Sequence, residues 1–309
     1  MITLGAVTAA AARIREFVHR TPVLTSRTLD AAVGASVFCK CENLQKVGAF
    51  KARGACNAVF ALPPDVAARG VVTHSSGNHA AALAYAARAR GVPCAVVMPD
   101  TAPAIKVDAV RGYGAEIRFC KPADRDAVCA AWQRERGMHL VHPFEDPDVI
   151  AGQGTAALEL LEQVPELDAV VTPVGGGGLC AGTAVVVRAL RPAAQVVAAE
   201  PAAVDDAARS LATGVRQPRV DGAKSWADGL MTGLGEPNFR LLREHRVRVV
   251  TVDEPAIVAA ARFFLQRMKL VVEPSAATVL AALHADGGAL QGRRVGLVLS
   301  GGNTDFAWL

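Results

Sequence analysis

The chain has 309 residues, of which 51% are hydrophobic, 20% charged and only 5% aromatic, with a formal net charge of +4. That length allows a large buried core and more than one folding unit, and the few aromatics leave the core to small aliphatic side chains, as in an α/β protein. So small a charge, on dispersed Lys and Arg, excludes nucleic acid and anionic membrane as main partners, and no apolar run reaches the roughly 20 residues that a bilayer span needs.

The N-terminal stretch MITLGAVTAAAARIREF carries Arg residues inside its apolar pattern. It reads as an amphipathic helix, not a signal peptide, and the expected location is cytoplasmic. The seven cysteines (39, 41, 56, 94, 120, 129 and 180) are odd in number and form no CxxC pair. They read as free thiols of a reducing compartment. Cys39 and Cys41 would share one face of a strand, but no second pair at ligand spacing makes a zinc site.

KVGAFKARGA (46–55) places Lys51 at the start of a helix. The helix dipole there favours a neutral amine, which can form a Schiff base with an aldehyde cofactor. Most lysines are solvated surface charges, so this segment alone carries little. Three strand–helix pairs follow: 70–74 with a helix from Asn78 to Arg90, 93–99 with a helix from Ala104 to Tyr113, and 115–120 with a helix from Asp124 to Arg136. Their length and short connections indicate parallel βαβ units. The turn Ser75-Ser76-Gly77-Asn78-His79 sits at a helix N-terminus, where hydroxyls, an amide and N–H groups can receive a carboxylate.

After His142-Pro143 a second series begins, with strands expected at 167–175, 194–201, 247–253 and 294–302. These are nearly continuous apolar runs, as when both sheet faces are covered. The fold class is α/β with two open parallel-sheet domains, the smaller (70–145) inserted in the larger (1–69 and 146–309). The first of these strands ends in Gly175, Gly176, Gly177 and Gly178 before a helix. Residues without Cβ let successive N–H groups close on an anion, and the helix dipole assists. With no Lys it is not a Walker A loop, and without GxGxxG spacing it is not a dinucleotide site. It reads as a cup for a small monophosphate.

The segments AFKARGA, THSSGNH, VHPFEDPDVIAGQGT, PVGGGGLCAG, AAEPAAVDD, WADGL, VEPSAA and LSGGN occur in order from about residue 20 to residue 305. Together they resemble the fold-type II pyridoxal-phosphate enzymes, specifically the serine/threonine dehydratase and serine racemase family. The resemblance implies that Lys51 is the Schiff-base lysine and the base that removes the α-proton, with Phe50 beside the ring. It implies a phosphate held by Gly175 to Gly178 and Leu179, with Gly229 also at the cofactor. Asn78 would meet the ring hydroxyl and Ser300 the ring nitrogen. A hydroxyl there can only hydrogen-bond a neutral ring, which favours expulsion of a β-leaving group.

By the same resemblance Ser76 faces Lys51 across the substrate, Ser75, Asn78 and His79 hold the substrate carboxylate, and Arg125 and Thr232 contact a small diacid. Glu200, the Val204 carbonyl and Asp206 match a divalent-cation loop whose hard oxygen ligands suit Mg²⁺, Ca²⁺ or Mn²⁺. A homodimer is implied, as is the absence of an effector domain beyond Leu309. Two positions depart from the family pattern: Ala49 replaces a hydroxyl residue, and Ala80 replaces Gly.

The implied reaction is loss of water and ammonia from L-threonine, L-serine or a close β-hydroxy amino acid such as 3-hydroxyaspartate. Serine or aspartate racemase is the alternative, because THSSGNH is racemase-like. Phe144 after His142-Pro143 resembles dehydratases more. A non-catalytic cofactor-binding protein and a Rossmann oxidoreductase fit less well.

Overall fold

The computed structural model describes residues 2–75, 77–102 and 104–309. Helix α1 (Leu4–Ile14) starts where Thr3 Oγ1 accepts the Ala6 N–H, and it buries Val7, Ala10 and Ile14 along one face. A short strand β1 (Val23–Leu24), helix α2 (Arg27–Val33) and strand β2 (Ser36–Lys40) follow. Next come α3 (Lys51–Ala61) and the short α4 (Pro64–Ala68). The series β3 (Val71–His74), α5 (Asn78–Arg90), β4 (Cys94–Pro99), α6 (Ala104–Gly112), β5 (Glu116–Cys120), α7 (Arg125–Arg136) and β6 (His139–Leu140) builds one sheet. The remainder runs α8 (Pro147–Gln163), β7 (Ala169–Pro173), α9 (Gly178–Leu190), β8 (Gln195–Pro201), α10 (Asp206–Thr213) and α11 (Glu236–Glu244). It closes with β9 (Arg248–Val252), α12 (Glu254–Phe263), α13 (Pro274–Ala285) and β10 (Arg294–Val298).

The smaller sheet is parallel throughout, in the order β5-β4-β3-β6. The larger has the order β1-β2-β10-β7-β8-β9 and is parallel except for β1. Its strands feed two cores by the two-residue alternation of side chains. Val170, Ala198 and Val298 pack with α1, α8, α9 and α11, while Val171, Val197 and Leu297 pack with α12 and α13. Every strand expected from the apolar runs is present. Strands β1, β2 and β6 lie beyond them; β1 and β6 have two residues each, too few for a readable period. Cys39 and Cys41 are fully buried, and all seven cysteines are free. No helix among the described residues is long and apolar enough to cross a membrane.

Helix α3 is fixed from two directions. A Cβ on Gly152 of α8 would lie 2.6 Å from Gly54 Cα, so the two helices touch backbone to backbone. Two residues beyond Lys51, the fully buried Arg53 meets Glu42 at 2.7 Å and Glu159 at 2.8 Å, and Lys40 completes the group on Glu159 at 2.6 Å. Two cations face two carboxylates, which is how charge is tolerated in an interior.

Candidate active site

The C-terminal ends of β3, β7 and β10 open onto a cavity of about 300 Å³ that also receives Lys51. Such strand ends are where open α/β sheets place ligands. Before α3, Val47 (φ 55°) and Gly48 (φ 70°) reverse the chain. The Phe50 N–H then reaches the Ser300 carbonyl at 2.9 Å, which brings the first turn of α3 to the end of β10. Lys51 Nζ donates to the Pro143 carbonyl at 2.7 Å and lies 5.1 Å from the Phe50 ring centroid. Burial pulls its pKa down to about 8, against an opposing pull from the Glu273 carboxylate.

The glycine run follows β7. Gly177 has φ 92°, a left-handed conformation that L side chains rarely adopt, and it precedes the first residue of α9. Its neighbours also exclude side chains: a Cβ on Gly175 would lie 2.8 Å from Leu230 Cα, and one on Gly176 would enter the Phe144 ring. Asn238 holds the loop from behind, donating to the carbonyls of Gly176 at 2.6 Å and Phe144 at 2.8 Å. The N–H groups of Gly175 to Leu179 are buried and have no acceptor among the described residues. Buried donors of this kind need an acceptor, and a phosphate at a helix N-terminus supplies several. The chain therefore fits the phosphate end of pyridoxal phosphate.

At the other end, Ser300 is buried and lines the cavity with Asn78, Glu273 and Gly229. Asn78 Nδ2 donates to both Glu273 oxygens at 3.0 and 3.1 Å, and its Oδ1 accepts from Asn303 at 2.9 Å. Burial pushes the Glu273 carboxyl up to about 7, partly offset by the Asn78 hydrogen bond. Ser75 Oγ accepts the Gly77 N–H at 3.3 Å. His79 is turned away from a carboxylate role for its ring, since Nε2 lies 3.2 Å from the Val141 carbonyl. A carbonyl only accepts, so Nε2 carries the hydrogen and Nδ1, buried without a partner, is left a lone pair. The N–H groups of Asn78 and His79, at the start of α5, have no acceptor among the described residues. Ser76 lies outside the described residues.

Arg125 and Thr232 both line the cavity. His74 and His142 stack edge to face with centroids 5.5 Å apart, and burial lowers the pKa of both. Lys106 and Asp228 form an ion pair that spans the cleft from α6 to the loop before α11. The turn that carries Glu200, Val204 and Asp206 lies apart from the cavity. Glu200 accepts the N–H groups of Ala207 and Ala208, each at 2.8 Å, and Asp206 Oδ2 accepts that of Leu234 at 2.8 Å. Burial, together with Asp206 and Asp205, pushes Glu200 up to about 8. Val204 ends the turn between them. No group of three or more His, Cys, Asp or Glu side chains stands ready to hold a metal among the described residues.

Glu273, Pro143, Asn238, Lys106, Asp228 and Arg219 carry no role that is visible in the sequence alone. Glu273 alone left a trace, as one carboxylate inside the apolar run VVEPSAA. The others depend on contacts between distant segments.

A family model described as "Pyridoxal-phosphate dependent enzyme" matches residues 14–301. The chain is 48% identical over 300 residues to a β-hydroxyaspartate dehydratase of Paracoccus denitrificans, covering 96% of this chain and 95% of that protein. It is 45% identical over 313 residues to a serine racemase of Dictyostelium discoideum, covering 99% and 96%. Among solved structures, that of a threonine deaminase from T.th. superposes with a TM-score of 0.94 at 46% identity, covering 99% of both chains.

Proposed function

The chain belongs to the pyridoxal-phosphate dependent enzymes, and within that family we propose that it is an ammonia-lyase. It would convert L-threonine, L-serine or a close β-hydroxy amino acid such as 3-hydroxyaspartate to a 2-oxo acid and ammonia. The observation that carries this reading is the buried Lys51 amine, whose charge burial disfavours, set in one cavity with the N–H groups of Gly175 to Leu179, which have no acceptor among the described residues. Relatives named as a β-hydroxyaspartate dehydratase and an L-threo-3-hydroxyaspartate ammonia-lyase, at 48% and 45% identity, support elimination.

When bound, the cofactor supplies the electron sink for a carbanion at the substrate α-carbon. The chain's residues supply position and proton handling. Gly175 to Gly178 and Leu179 would hold the phosphate, Gly229 and Phe50 would bound the ring, Asn78 would meet its hydroxyl, and the Ser300 hydroxyl would donate to its nitrogen. Ser75 and the N–H groups of Asn78 and His79, which have no acceptor among the described residues, would orient the substrate carboxylate. Lys51 Nζ takes the α-proton, and loss of the β-hydroxyl as water leaves an enamine that hydrolyses to the oxo acid and ammonia. The Ser300 hydroxyl cannot hold a proton on the ring nitrogen as a carboxylate would, which favours elimination over slower fates of the carbanion. Racemisation is the second reading. It rests on relatives named serine racemase and on Ser76 as an opposite-face acid.

Glu200, Val204 and Asp206 would hold a divalent cation through oxygen atoms, a hard donor set that suits Mg²⁺, Ca²⁺ or Mn²⁺. We read residues 70–145 as the smaller domain, 1–69 with 146–309 as the larger, and the assembly as a cytoplasmic homodimer. The free thiols agree with a reducing compartment. The direct test supplies the protein with pyridoxal phosphate and a β-hydroxy amino acid and measures oxo acid and ammonia. Lys51→Ala, folded by thermal melt, is expected to lower release by at least about 10²- to 10⁴-fold. Undiminished release from the variant, or none from the wild type on any of the three substrates, would sink the reading.

A further inference from the structure

The charges that line the cavity do not all cancel. Lys106 is paired with Asp228, and Lys51, on the Pro143 carbonyl, shares the cavity with the Glu273 carboxylate. Asp126 is turned onto His74, with Nδ1 to Oδ1 at 3.4 Å. Two guanidinium groups remain, one from each side of the cleft. Arg125, at the start of α7, has no ion-pair partner among the described residues, and its Nε is buried without an acceptor. Arg219, in the loop between α10 and α11, spends only Nε, on Asp221 Oδ1 at 2.9 Å. Its two terminal nitrogens have no acceptor among the described residues. Asp221 is itself 85% exposed and outside the cavity, so the pair tethers the guanidinium from the solvent side. A Cβ on Gly233 would come within 3.1 Å of Arg219 Cβ, so the arginine stem rests on the loop that carries Thr232.

We propose that Arg219 is a selectivity residue that, together with Arg125, holds a second carboxylate on the substrate. This rests on the lyase reading and narrows its substrate to dicarboxylic β-hydroxy amino acids. The other anions already have receptors: the glycine run takes the cofactor phosphate, and the start of α5 takes the α-carboxylate. Only a substrate with a side-chain carboxylate needs a third. A planar fork with two free terminal nitrogens matches a carboxylate in two parallel hydrogen bonds, and a tether at Nε fixes its aim. A hydroxyl or methyl side chain makes no such pair.

The test compares kcat/KM of the holoenzyme for threo-3-hydroxyaspartate and L-serine in the wild type, Arg219→Ala and Arg219→Lys. The ratio of diacid to serine is expected to fall roughly 10- to 100-fold in Arg219→Ala, mainly through KM, and by less in Arg219→Lys, which keeps the charge but loses the fork. A ratio unchanged by either substitution overturns the proposal, including the case where both rates fall together. So does a loss confined to cofactor affinity, which would assign Arg219 to the phosphate. If the wild type eliminates neither of these substrates nor L-threonine, the lyase reading itself fails; if it eliminates L-threonine alone, or both substrates with a ratio near one, only the selectivity proposal fails.

Discussion

Lys51 is under two opposing influences, burial against its charge and the Glu273 carboxylate in favour of it, and burial wins to give a pKa of about 8. The amine must be neutral to capture an aldehyde. Capture of pyridoxal phosphate by cofactor-free protein should therefore speed up about tenfold per pH unit towards 8 and level off above it. Stopped-flow absorbance of the borohydride-reducible chromophore reads this directly, and a midpoint near the ordinary lysine value of 10.5 would contradict it. Glu273→Gln keeps an acceptor for Asn78 and removes the anion that raises the Lys51 pKa. The midpoint should move below 8, and an upward move would show that Glu273 does not act on Lys51. None of this was legible around Lys51 itself, because AFKARGA does not show that a carboxylate over two hundred residues away will be buried beside it. The glycine run was legible, since four glycines between an apolar strand and a helix are unusual by composition alone. Its outer wall, Phe144 and Asn238, was not.

Helix α3 carries Lys51 on its first turn, so the lysine is only as well placed as the contact of α3 with α8. That contact is a glycine-to-glycine approach with no room for a methyl group. Gly152→Ala is expected to force the helices apart at a cost of about 1–3 kcal/mol, read as a lower urea midpoint, and to weaken cofactor retention alongside. A variant as stable as the parent would mean that α3 can shift freely. The elements themselves were largely readable. The parallel strands β3, β4, β7, β8 and β10 bury both faces and so appear as apolar runs, and α5 stops at Gly91, whose left-handed conformation ends the helix. Strand β2 showed only in the alternation of Cys39 and Cys41, because Lys40 places a charge in a core position and pairs with Glu159, far along the chain.

At the scale of the whole molecule, one parallel and one mostly parallel sheet meet across a cleft, whose walls come from strand ends, from α3 and α6 and from the loop before α11. The Asp206 carboxylate holds the Leu234 N–H, and Leu234 packs beside Gly177, so the turn from Glu200 to Asp206 and the glycine run share one support. Mg²⁺ or Mn²⁺ added after chelation should raise Tm by several degrees, as binding to the folded state alone requires, and slow the loss of cofactor on dialysis. No shift with Mg²⁺, Ca²⁺ or Mn²⁺ would leave Glu200 and Asp206 as caps of α10 and loop only. The fate of the substrate carbanion in this cleft decides between lyase and racemase. The most direct measurement follows ammonia, 2-oxo acid and the opposite enantiomer in a single incubation of the holoenzyme with L-serine or threo-3-hydroxyaspartate. Elimination predicts oxo acid and ammonia in equal amounts, with the opposite enantiomer a minor product throughout. Accumulation of the opposite enantiomer ahead of oxo acid would contradict it and make the protein a racemase.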